Sequence, residues 1–296
     1  MKIPFTSVGS GMEIFMDIKF HCSEKANFPK EYSKVRAFLY KDYVIEPHNH
    51  DFYEINIVMN GTGVHKIENS SFKVRMGDIF VIRPMIVHAY YDTCELDVFH
   101  ILLKKDFVSA NMSEAVGVEG FLQFMEIEPF LRHHFAEKIF LHCSYKQLNA
   151  LKTDLNVIDE NAELAEKRPE ALKEHTVWKI LYMLSGALYE DINSKNSVNK
   201  YEQAIISLLE YIHKNYDEKI TLETMSKRTY LSRSTLLRAF YDMCGCTPMQ
   251  YLNKYRCERA AEMLENPDGL SKTQIAHCCG FYDLSHMNRM LDKNSI

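Results

Sequence analysis

A chain of 296 residues exceeds what one ordinary hydrophobic core serves, so two domains are predicted. Charged residues at 25 % and hydrophobic ones at 46 % exclude a disordered or fibrous chain. No apolar run reaches the roughly 18 residues a membrane span needs. The net charge of −5 is less basic than nucleic-acid binders usually are, although residues 201–296 hold twelve basic and twelve acidic side chains and are neutral on their own.

The opening stretch MKIPFTSVGSGMEIF has one lysine, an early glutamate and no long apolar segment, so it does not read as a signal peptide. A cytoplasmic address without a membrane partner is the expectation. From about residue 10 to 105 the chain reads as short strands, RAFLY, YEINIVMNG, GVHKIENSSFKV, GDIFVIRP and LDVFHILL, separated by turn residues. Such spacing predicts an all-β barrel or sandwich. Within it, PHNHDFYEINIVMNG places His48, His50, Glu54 and Asn56 on one strand face, because side chains two apart point the same way. His88 and Tyr90, in GDIFVIRPMIVHAYY, join them from a neighbouring strand.

Two readings of that cluster stay open. His48, His50, Glu54 and His88 form a three-histidine, one-carboxylate set that suits a divalent metal with open positions. The same side chains, with Asn56 and Tyr90, form a polar pocket for a hydroxylated or carboxylated small molecule, such as a sugar. The eight cysteines contain no CxxC pair and read as reduced thiols behaving as small hydrophobes.

From about 121 to 192 the apolar period becomes helical. Leu148, Leu151, Leu155 and Ile158 make one stripe; Leu172, Val177, Ile180, Leu181, Leu184 and Leu188 make a second. These stripes exceed what one barrel face can absorb, which points to a dimer contact at about 145–192. Residues 191–200, DINSKNSVNK, are polar and form the predicted linker. The remainder, 201–296, reads as helices punctuated by N-caps at Thr221, Ser232, Thr247 and Ser271.

Residues 222–229 and 233–244, then 272–279 and 284–292, repeat one pattern of short helix, tight turn and second helix, the signature of a doubled helix-turn-helix. Met225 and Ile275 are the inward apolar residues of the first helices, and Ser226 and Ala276 let the helices cross closely. Leu236 and Phe240, then Met287 and Leu291, face inward on the second helices. Arg238 and Arg289 fall at matching outward places.

Leu231-Ser232, Leu236, Arg238, Phe240, Gly245, Pro248, Tyr251-Leu252, Arg256, Ala260, Leu264, Ile275-Ala276 and Gly280-Phe281 follow a recurring pattern over residues 205–292. This region resembles the DNA-binding domain of AraC-type transcriptional regulators. The resemblance implies two recognition helices in successive major grooves, about 34 Å apart. By position in that pattern, the DNA-contacting residues are Arg233, Ser234, Leu237 and Arg238, then Leu284, Ser285, His286, Asn288 and Arg289. Two departures stand out. Met287 and Leu291 replace aromatic residues. The pattern also continues past the second recognition helix, whereas this sequence stops at Ile296. A second unit short of its closing helix is expected to bind weakly, or to leave the first unit dominant.

The opening histidine stretch is similar to the cupin motif, with Gly61, Gly77, Asp78, Pro84 and His88 matching its remaining positions. AraC-type regulators commonly carry such a barrel as an effector domain. The expected fold class is therefore α+β multidomain. A cupin-like β-barrel (about 10–105) with flanking helices (about 121–190) makes a sensor over 1–190, followed by the linker and a double helix-turn-helix over 201–296. The expected function is a ligand-responsive, non-enzymatic DNA-binding regulator. It acts as a homodimer with RNA polymerase as partner, and by family habit activates genes for carbohydrate or other metabolite use. The alternative is a metal-dependent cupin enzyme with a vestigial DNA-binding tail. A third reading is a shortened regulator that dimerises and senses without binding an operator.

Overall fold

The computed structural model describes residues 18–28, 30, 32–68, 70–129, 132, 141–163, 165–194, 200–265, 267 and 269–294. Its first half is organised by two long strands. After β1 (Phe20–Cys22), α1 (Glu24–Asn27), β2 (Val35–Tyr40) and β3 (Ile45–His50) comes β4 (Tyr53–Ile67), of 15 residues. β5 (Ser70–Arg75), β6 (Asp78–Ile82) and the 16-residue β7 (His88–Leu103) follow, and β8 (Leu141–His142) closes the set. β4 and β7 pair antiparallel along nearly their whole length, and the register shifts three times between Val58 and Val64. Bulges sharpen twist and bend a ribbon. Gly61 sits at that bend with φ +76°, where a Cβ would lie 2.1 Å from the Glu95 carbonyl oxygen, so only glycine fits.

The bend makes one ribbon serve two layers. β6 pairs with the first half of β4 and β5 with the second; β3 and β2 divide the free edge of β7 in the same way. The main hydrogen-bonded path runs β1-β3-β7-β4-β6-β8, with β2 and β5 as side branches. The expected β-rich domain is present, but its sheet is not closed into a barrel. Closure needs strands of common tilt and stagger around a ring. Here β2 and β3 lie end to end on one edge, β5 and β6 on the other, and no described pairing joins the ends.

Alternation along β4 decides which side chains face where. Tyr53, Ile55 and Ile57, with Ile79, Val81, Ile101 and Leu103, form a buried layer against the helices. Glu54, Asn56 and Val58 point to the opposite, interior face. The helices are α2 (Lys105–Ala110), α3 (Met112–Ala115), α4 (121–129, containing the π-helical stretch Gln123–Ile127), α5 (Tyr145–Ile158) and α6 (Glu170–Ser194). Leu148, Leu151, Leu155 and Ile158 are buried in this core with Val177, Ile180, Leu181, Leu184 and Leu188. Each contributes about 1.5–3 kcal/mol on burial. One protomer thus absorbs both predicted stripes, because the sheet offers a two-helix face. The exception is Leu172, 47 % exposed.

α6 continues to Ser194 and α7 (Lys200–Asn215) begins at Lys200, so both ends of the predicted 191–200 linker are helical. Residues 195–199 lie outside the described residues. Beyond α7 come α8 (Leu222–Thr229), α9 (Arg233–Cys244), α10 (Pro248–Glu265), α11 (Lys272–Cys278) and α12 (Leu284–Asn294). Thr221, Ser232, Thr247 and Ser271 each accept a backbone N–H from three residues on, at 3.1–3.3 Å. The first unit closes over Met225, Leu236 and Phe240, the second over Ile275, Ala276 and Met287. Leu122 and Ile127 of α4 enter the core of the first unit beside Ile205 and Leu209, so apolar packing crosses between the halves.

Candidate effector pocket and nucleic-acid interface

The interior face of the bent sheet gathers the predicted pocket residues. His48 ends on β3 opposite His88, the first residue of β7. Their rings lie 4.2 Å apart, and His50 stands 5.1 Å from His88. Glu54 is the hub. Its Oε1 accepts from His100 Nδ1 at 2.6 Å, and its Oε2 lies 2.9 Å from His50 Nε2 and 3.4 Å from His88 Nε2. Asn56 donates to the Tyr90 hydroxyl at 3.3 Å. All six predicted residues, His48, His50, Glu54, Asn56, His88 and Tyr90, are buried.

Three members were not foreseen. His100 bonds Glu54 directly, His65 stacks on Tyr90 at 4.0 Å, and Tyr43 meets the His100 ring at 4.6 Å. His100 was legible: it is an even number of residues from His88 and Tyr90, hence on the same face. His65 was not, because it is an odd number from Glu54 and the bulges around Gly61 reverse the parity.

Proton placement shows what this arrangement can hold. Nδ1 of His48, His50 and His88 faces the carbonyl oxygens of Glu46 (3.0 Å), Phe52 (2.7 Å) and Ile86 (3.4 Å), so each ring carries a proton there. Their Nε2 atoms then turn inward. Nε2 of His50, His88 and His100 are buried without a hydrogen-bond partner among the described residues. Lone pairs gathered around a carboxylate repel unless something positive, or a hydrogen-bond donor, lies between. Donor atoms of His48, Glu54 and His88 all fall within 4.8 Å of one another, which fits a small divalent cation. Burial, and then electrostatic competition with the adjacent His88 for a proton, lowers His48 to about 4. Burial also drives His65 well below the usual imidazole range and lowers His88. Burial would raise Glu54, but His100, His50 and His88 together outweigh it and hold the carboxylate well below its ordinary value. The site is a buried carboxylate ringed by histidines, with burial disfavouring the charged forms of His48, His65 and His88.

In the C-terminal half, Arg233, Ser234, Leu237 and Arg238 form an exposed face of α9, and Arg233 lies 4.0 Å from Glu223. On α12, Ser285, Asn288 and Arg289 are exposed. Leu284 instead packs partly into the core of the second unit, and His286 sets its ring edge-on to Phe281 at 5.5 Å. These two are held inward because α12 starts at Leu284, with Asp283 accepting the His286 amide at 2.7 Å. Arg256 is structural: it donates to the carbonyls of Tyr216 and Glu218, both at 2.7 Å, and pins the end of α7 to α10.

Residues 36–154 match the AraC-like ligand binding domain, and residues 225–294 match a helix-turn-helix domain. The chain belongs to the AraC family. Like its relatives, this AraC-type regulator combines an effector-binding domain with a DNA-binding one. The HTH-type transcriptional activator RhaS of Pectobacterium carotovorum subsp. carotovorum is 27 % identical, the alignment covering 83 % of each chain. RhaS of Enterobacter sp. (strain 638) is also 27 % identical, over 82 % of each. Among solved structures, ToxT from Vibrio cholerae O395 aligns over 88 % of this chain and 94 % of its own, at 12 % identity and a TM-score of 0.34. Among the described residues, no helix is long and apolar enough to cross a membrane.

Proposed function

We propose that this AraC-type regulator is a cytoplasmic transcription activator of carbohydrate or other metabolite genes. In this reading a polar ligand bound at the histidine–glutamate pocket controls how a homodimer engages operator DNA and RNA polymerase. The observation that carries the reading is the coexistence of two features. One is a buried cluster of inward-facing imidazole nitrogens around Glu54; the other is a pair of recognition helices whose polar faces are open. The names of the RhaS relatives support activation. Hydrogen-bonding side chains among aromatic rings suit a hydroxylated ligand.

The decisive measurement is a gel shift with the duplex upstream of the chain's own gene, at about 50 mM salt where phosphate contacts are strongest. Retardation is expected, and Arg238→Ala should weaken binding by about 1–3 kcal/mol if the arginine reads a base. Absence of any retarded band at that salt would defeat the DNA-binding reading.

The same donors support a second ligand class, a divalent transition metal held by His48, His50, Glu54 and His88. Elemental analysis of protein purified without chelators should then find about one equivalent, lost in His50→Ala. Metal-free protein that still responds to a metabolite would leave the pocket to organic ligands alone.

A further inference from the structure

Arg83 stands where the sensor meets α10, the helix that joins the two helix-turn-helix units. Its guanidinium reaches Glu126 of α4 (Nε to Oε2, 3.3 Å) and Glu258 of α10 (Nη2 to Oε2, 2.6 Å). The Tyr53 hydroxyl donates to Glu126 at 3.0 Å, and Arg259 pairs with Glu262 one turn along α10 at 2.6 Å. Further on, Lys105 of α2 meets Glu265 at 3.3 Å. Two arginines and three glutamates are thus packed into one seam, with side-chain exposures at Arg83, Glu126 and Glu258 of 15 %, 3 % and 22 %.

Such a cluster is a poor adhesive. Desolvating its charges offsets most of their attraction, and apolar side chains of the same volume would hold as well. Adhesion between the halves is already supplied by Leu122 and Ile127. What a buried ion cluster provides is a single docking geometry that a modest perturbation can release.

The pocket is wired to it through the backbone. Arg83 directly follows β6, and the turn after it ends at His88. Within that turn Met85 is left-handed, φ 68°, a conformation costly for a side chain of its type, and its amide donates to the His50 carbonyl at 2.7 Å. The far end is pinned as well, the Val87 amide donating to Glu68 Oε1 at 3.0 Å. A short strained turn therefore ties Arg83 to two pocket histidines, and little slack separates them.

We propose that Arg83 is the coupling residue between the histidine–glutamate pocket and α10: the state of the pocket sets the grip of Arg83 on Glu258, and with it the helix that orients both DNA-reading units. This rests on reading the pocket as the effector site. Coupling of this kind is reciprocal, so it can be observed from either end.

Hydrogen exchange followed by mass spectrometry on the full chain tests it. Glu54→Gln and, separately, His88→Gln should speed amide exchange at 255–262 by roughly tenfold relative to wild type. Arg83→Met and Glu258→Gln should speed exchange at 48–50 and 86–90 in return, and the Gln variant, which removes the charge but keeps the size, guards against simple unfolding. The sharp arm is the double variant: with Arg83→Met in place, Glu54→Gln should add nothing at 255–262. If Glu54→Gln acts equally in both backgrounds, or Arg83→Met loosens 255–262 alone, Arg83 is a static brace and the proposal fails. Titration of the wild type with candidate metabolites is read separately. Exchange coupling with no ligand found would fault the effector reading and leave the coupling standing.

Discussion

His213 shows how much a single enclosed side chain can govern. It lies inside the first helix-turn-helix core with Nε2 2.7 Å from the Tyr251 hydroxyl, and its Nδ1 has no hydrogen-bond partner among the described residues. Burial, and then the charges of Arg83 and Arg259, lower it to about 3. The unfolded chain takes up this proton below about 6.5, whereas the folded one refuses it until about 3. Its contribution to stability is therefore complete above pH 6.5 and drains away as the pH falls from 6.5 toward 3. Urea unfolding at pH 7.5, 6.5 and 5.5 should show His213→Gln with a shallower loss than wild type. The difference should approach about 1.4 kcal/mol per pH unit once well below 6.5. Parallel pH profiles would mean that His213 takes up its proton as readily in the folded chain as in the unfolded one. The same scale shows what a sequence reveals about a site. Glu54 and the five residues predicted with it were legible because strand alternation is a local rule, while His65 depended on bulges that only the fold reveals.

At the scale of elements, legibility followed locality. The caps at Thr221, Ser232, Thr247 and Ser271 stand where hydroxyl residues preceded helical periodicity, because capping is settled within four residues. α11 has only seven residues and a full capping box, in which the Gln274 side chain accepts from the Ser271 amide at 2.9 Å. Ser271→Ala should cost about 1 kcal/mol, read as a shift in the urea midpoint, and Ser271→Asp should recover most of it. No change on Ser271→Ala would show that α11 is held by tertiary packing alone. The π-helical stretch of α4 and the sharing of edges by β2 with β3 left no such local mark. α4 packs against residues far along the chain, and among the described residues β2 and β3 meet only through β7.

For the whole molecule, the open question is the partner copy. Excess apolar stripe was the sequence argument for a dimer contact, and the sheet removes that excess by burying nearly all of it within one protomer. What remains on α6 is a narrow face with Leu172 and Met183, 47 % and 41 % exposed, eleven residues apart and so on one side of the helix. If a homodimer forms through this face, sedimentation velocity should find a dimer at micromolar concentration and Leu172→Glu should shift it to monomer. A dimer indifferent to Leu172→Glu would move the contact elsewhere. The succession of a β-rich half and a helical half was readable because both carry dense motifs. The charged seam at Arg83 was not, since nothing in a sequence announces which arginine will meet a helix 175 residues later.

The double allegiance of α4 bears on how the protein is made. Phe124 and Met125 settle into the core of the sensor, whereas Leu122 and Ile127 wait for residues 205–252. On the ribosome those residues emerge well after α4, so one greasy side of α4 stays bare during that interval and is a natural docking point for chaperones. A recombinant fragment cut at residue 194 would carry that bare side permanently.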